Sequence, residues 1–148
     1  MAVFKFKLKT LHRLKIQIED REKNRFGLAV AALNAETAKL NRIYAAIEMT
    51  FDEFRKLSGG RFTAGKIKDY NRFIAAMKDK AEAQEIVVDE AKKAVDLARE
   101  ALVRAMRERE MYDKLREKAF AKYMDDERRA EYVTVDELVS YRSVSAGN

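Results

Sequence analysis

Starting at Ile67 and stepping alternately three and four residues, the chain meets Ile67, Tyr70, Ile74, Met77, Ala81, Gln84, Val88, Ala91, Val95, Ala98, Leu102, Ala105, Arg109, Tyr112, Arg116, Ala119 and Tyr123. Only Gln84, Arg109 and Arg116 interrupt its apolar and aromatic character. A 3-4 spacing places side chains on one stripe of a helix, and a stripe this long needs a partner helix along its whole length. The recurring alanines predict close approach of the two backbones. Proline, the strongest interruption of a helix interior, is absent from all 148 residues. Charged residues make up 38% and aromatics 9%, a balance that suits long helices better than a compact globule.

The first half repeats the pattern less regularly. Leu11, Leu14 and Ile18 share one face. Leu33, Leu40, Ile47 and Phe54 recur every seventh residue, with Ile43 and Leu57 at the matching offset. The two sets are out of register, which predicts a stutter near Arg25 to Leu28. Between the halves, Gly59 and Gly60 read as a helix stop and Thr63 as the next N-cap. The fold class expected is all-α, a two-helix antiparallel coiled-coil hairpin in one domain. Its arms are placed at about 4–58 and 64–132, with a loop at 58–63. Thr134 and Glu137 form a capping-box spacing flanked by Val133 and Leu138. This predicts a break, a short helix restarting at Val135, and a frayed end from Ser143.

Chemistry is sparse. There is no cysteine and one histidine, so thiolate nucleophiles and thiolate metal sites are excluded. His12 has no nearby acid or nucleophile in the sequence. Gly60 to Lys66 spells part of a phosphate loop, but Ile67 stands where a hydroxyl would bind Mg²⁺, and the preceding segment reads as helix rather than strand. Asp125, Asp126 and Glu127 are adjacent on a helix and diverge, so they cannot converge on one cation. No catalytic residue, metal ligand or cofactor is expected, and the chain does not read as an enzyme. The opening residues do not read as a signal peptide, and the longest apolar run, Leu28 to Leu33, is too short to span a bilayer.

The net charge is +6, concentrated over residues 1–25 and 55–80. Such excess suits an acidic partner or a solvated helix face. Nothing in the motifs supports nucleic acid. Phe4, Phe6, Phe26, Tyr44, Phe51, Phe73, Met111, Leu115, Phe120 and Tyr132 lie off the stripes. They predict either partner surfaces or a core widened by a third helix or a second copy.

Several segments resemble the FliJ family, the small coiled-coil component of the flagellar type III export apparatus. They are the start Phe4-Lys-Phe-Lys-Leu8-x-x-Leu11, the Gly59-Gly60 hinge, Tyr70-Asn-Arg-Phe73-Ile74, Val95-Asp-Leu-Ala98, the run Arg107-Glu-Arg-Glu-Met-Tyr-Asp-Lys-Leu115-Arg-Glu-Lys118, and Asp136-Glu137. The resemblance implies a coiled coil similar to the terminal helices of a rotary ATPase stalk. Its paired ends would enter the hexameric flagellar export ATPase and promote its assembly and turnover. Phe4, Phe6, Leu8 and Leu11, with Leu115, Phe120 and Tyr123 brought alongside, are the expected ATPase-binding residues. The family pattern places contact with the export gate membrane protein on Tyr44, Phe73 and Met77. Export chaperones are further implied partners, with a cytoplasmic location peripheral to the inner membrane. The alternatives are the equivalent stalk of a virulence-type injectisome, and a basic structural coiled-coil adaptor.

Overall fold

A computed structural model of the chain describes residues 3–57, 60 and 63–147. Two helices account for nearly all of them: α1, Lys9–Leu57, and α2, Ala64–Ala146. The fold is the expected all-α two-helix antiparallel hairpin. At the turn, the Gly60 amide donates to the Leu57 carbonyl at 2.9 Å, and Thr63 caps α2 by accepting from the Lys66 amide at 3.3 Å. Of the predicted loop, Ser58, Gly59, Arg61 and Phe62 lie outside the described residues.

The helices form two compact units. One comprises residues 21–103; the other joins residues 1–20 to 104–148. In the first, Phe26 lies under the Arg99 guanidinium, Gln84 bonds Glu36, and Phe54 meets Tyr70 edge-on at 5.6 Å. Rising numbers on α1 meet falling numbers on α2, which is antiparallel pairing. Ile47, Ala81, Val88 and Val95 are its buried apolar groups, all at seam positions. Leu40 lines a cleft with Glu82, Glu85 and Val88 of α2. The Glu36–Gln84 and Phe54–Tyr70 pairs on either side set Ile47 opposite the 73–81 stretch of α2.

Three expectations give way. First, α1 has no stutter. One unbroken 3-4 series, His12, Lys15, Glu19, Glu22, Phe26, Ala29, Leu33, Glu36, Leu40, Ile43, Ile47, Thr50 and Phe54, is buried or half-buried at every position. The period holds while the residue type changes from apolar to charged. Leu11 and Leu14 therefore sit on a flank, more than 40% exposed. Second, α2 does not break near Val133. The Thr134 hydroxyl donates to the Ala130 carbonyl one turn back at 2.9 Å, so it serves the helix interior instead of starting a new one. The helix runs to Ala146, past the predicted start of fraying. Third, α1 begins at Lys9, and residues 3–6 are not helical.

Candidate functional site

The unit containing residues 1–20 and 104–148 carries the expected ATPase-binding residues. Before α1, side chains alternate: Phe4, Phe6 and Leu8 are half-buried, while Val3, Lys5 and Lys7 are exposed. Alternation with period two is what an extended segment gives when one side lies on a surface. That surface belongs to α2. Phe4 meets Phe120 edge-on at 5.2 Å and Tyr123 at 5.5 Å. The Arg116 guanidinium lies over the Phe4 ring at 5.8 Å, a cation–π arrangement. Phe6 meets His12 edge-on at 6.0 Å. A cleft of about 680 Å³ is lined by Phe4, Phe6, Leu8, Leu115 and Tyr123, with Lys5, Lys7 and Lys122 on its wall.

The structure thus gathers six of the seven residues expected here. It also divides them by role. Phe4, Phe6, Leu8 and Tyr123 are half-buried and build the cluster together with the more exposed Phe120. Leu115 and Phe120, with Leu11 outside the cleft, are exposed and available to a partner.

Below the cluster the seam is polar. His12 Nε2 donates to Asp113 Oδ1 at 2.6 Å, and Arg109 donates to Asp113 at 2.5 Å and to the buried Glu19 carboxylate. Lys15 pairs with Glu108 at 2.8 Å. The hydrogen bond from His12, followed by the one from Arg109, holds the Asp113 carboxyl below the usual carboxylate range. Hydrogen bonding to Glu108 pushes the Lys15 ammonium up. Sequence reasoning found no acid partner for His12, because Asp113 lies 101 positions away. Extending the Leu33 to Phe54 register back by heptads reaches Glu19 and His12, and would have found it.

The expected gate residues lie in the other unit. Met77 is half-buried in the seam. Tyr44 and Phe73 are exposed, but on opposite flanks. Tyr44 follows seam residue Ile43 and donates to Glu85, which follows seam residue Gln84. That bond raises the Tyr44 pKa. Phe73 precedes seam residue Ile74 and shares a cleft of about 460 Å³ with Glu53, Tyr70, Lys66 and Asp69. In antiparallel coils these offsets fall on different sides of the seam.

No helix among the described residues is long and apolar enough to cross a membrane. No match is found among curated proteins or solved structures. The family described as Flagellar FliJ protein matches residues 4–148. The chain carries that family's pattern along essentially its whole length, and it belongs to the FliJ family of flagellar proteins.

Proposed function

We propose that this protein is a non-catalytic component of flagellar protein export. In this reading its paired ends sit in the hexameric export ATPase and promote that ring's assembly and turnover. The observation that carries the reading is the convergence of Phe4, Phe6 and Leu8 with Leu115, Phe120 and Tyr123. The cluster presents moderate apolar area ringed by Lys5, Lys7 and Lys122, with no deep anchor. Such a surface suits a contact steered by charge. The same end of an injectisome stalk would have this chemistry; membership of the flagellar family favours the flagellar apparatus. Tyr44, Phe73 and Met77 are assigned to the export gate, with Tyr44 and Phe73 reached from two flanks. Export chaperones are further partners, and the protein works at the cytoplasmic face of the inner membrane.

ATP turnover of the cognate ring tests the proposal. Leu115→Ser with Phe120→Ser removes the exposed apolar groups, and stimulation should be lost while helicity is kept. Phe4→Ser with Phe6→Ser should act similarly by dismantling the cluster. Phe73→Ser should leave stimulation intact and weaken capture by the gate's cytoplasmic domain. End variants that stimulate like the unmodified chain, beside a silent Phe73→Ser, would reverse the assignment.

A further inference from the structure

The end unit carries two surfaces that the pairing of α1 with α2 leaves unused. One lies on α2, where Arg104, Arg107, Met111, Lys114 and Lys118 follow 3-4 spacing and are all exposed. Leu115 beside them and Leu11 on α1 add apolar area. The result is an apolar strip with a basic rim. The other lies further along the same helix. Tyr132, Val135, Leu138 and Val139 share one face, each more than half exposed, with Glu131 and Asp136 at its edges. It is an apolar strip with Glu131 and Asp136 on its flanks and Arg128 and Arg142 at its two ends.

The second strip also raises a question of stability. Residues 128–146 are exposed throughout, yet they form unbroken helix to Ala146. Val133, Thr134, Val135, Val139 and Val144 are β-branched and disfavour helix. Packing usually supplies what propensity does not, and the single chain supplies none here.

We infer that the α2 tail is a self-association surface that lies against the 104–118 face of a second copy. The tail cannot reach that face in its own chain, because both belong to one uninterrupted helix. Antiparallel alignment of two α2 helices about Asp125 brings the acids of the tail onto the lysines of the 104–118 face. It sets Glu131 against Lys118, Asp136 against Lys114 and Val139 against Met111 of the second copy. The arrangement repeats by two-fold symmetry, so it closes at two chains. It also covers Leu115, and a self-paired chain is thereby withheld from any partner that uses Leu115. This inference stands apart from the ATPase assignment, since its readout is the mass of the free protein.

Sedimentation equilibrium of the full chain tests it, with circular dichroism confirming helicity of each variant. The unmodified chain should show a concentration-dependent monomer–dimer equilibrium. Lys114→Glu with Lys118→Glu, and separately Glu131→Lys with Asp136→Lys, should each weaken the dimer by roughly tenfold or more, since like charges then face each other. An equimolar mixture of the two double variants should recover association, because both contacts of the mixed dimer regain opposite charges. A chain that stays monomeric up to roughly 1 mM, a Kd that corresponds to only about −4 kcal/mol, would overturn the inference. So would variants that associate like the unmodified chain, or a mixture that stays monomeric. Loss of ATPase stimulation in Leu138→Lys with no change in the mass of the free protein would assign the tail to a different partner, and would overturn it equally.

Discussion

Glu19 is buried at a seam position, and the Arg109 guanidinium neutralises it. Removing one member of such a pair is harsher than removing both, because a charge left in a poorly solvated site loses its compensation. Arg109→Leu should therefore lower Tm clearly, and Arg109→Leu with Glu19→Leu should recover most or all of the loss. Thermal melts followed by circular dichroism would check this. Gln84 behaves differently from a plain polar defect. Its amide donates to the Glu36 carboxylate at 2.6 Å and to the Glu36 carbonyl at 3.0 Å, and this bond, ahead of the one from Lys39, lowers the Glu36 pKa. Sequence alone suggests that Gln84→Leu is neutral or stabilising. The observed bonds make it mildly destabilising, visible in the same melts. Val95, 6% exposed, is the clean test of the apolar seam. Val95→Asp should cost about 3 kcal/mol in urea unfolding, from a desolvated polar group with no partner in place.

At the scale of the element, α2 shows what sequence periodicity can and cannot reveal. Its stripe is legible from Tyr70 to Tyr112, because alanine, valine and leucine mark positions that the fold half-buries or buries, while Ile67 and Arg116 are exposed. The matching stripe of α1 was legible only from Leu33 onward. Earlier, Lys15, Glu19 and Glu22 hold seam positions, and a search for apolar residues settles on Leu11 and Leu14 instead. Spacing persisted where residue type did not. The structure brings Phe4 to Phe120 and Tyr123, but the extended path of its segment is not legible, since alternation of charge and apolar groups also fits a helix start. The continuity of α2 past Val133 was hidden because the capping-box spacing has two uses, and only the observed bond to Ala130 separates them. Gly27 marks a soft point in α1. Beyond the neighbouring backbone of its own helix, nothing lies within 4 Å of the site a Cβ would occupy, and its φ is not positive. Gly27→Ala should stabilise by about 1 kcal/mol in urea titrations.

Across the whole molecule, the two units are held by different forces. Residues 21–103 are joined mainly by aliphatic burial, and the end unit by aromatic contacts and an ionic seam. Folding favours the ionised form of Asp113, because its folded-state pKa lies below the usual value. That contribution is complete at neutral pH and is lost as pH falls through the lowered folded-state pKa. Amide hydrogen exchange between pH 7 and 3 should therefore show protection lost first around residues 9–20 and 104–119. Raising salt at neutral pH should loosen the same stretches, because partly exposed ion pairs are screened while apolar contacts are not. Equal loss in both units would contradict this division.

The pairing of α1 with α2 also has a consequence in time. Contacts near the turn, such as Phe54 with Tyr70, close a short loop. His12 and Asp113 stand 101 positions apart, and closing a longer loop carries a larger entropic cost. Folding that starts at the turn and proceeds outward reaches Phe4 and Phe120 late. During synthesis Phe4 emerges early but waits for Phe120 and Tyr123 before it has anything to pack against. The aromatic end can therefore form only after most of the hairpin has been made and paired. A nascent or stalled chain would present helix without that end, so the surface assigned to the partner ring doubles as a signature of finished folding.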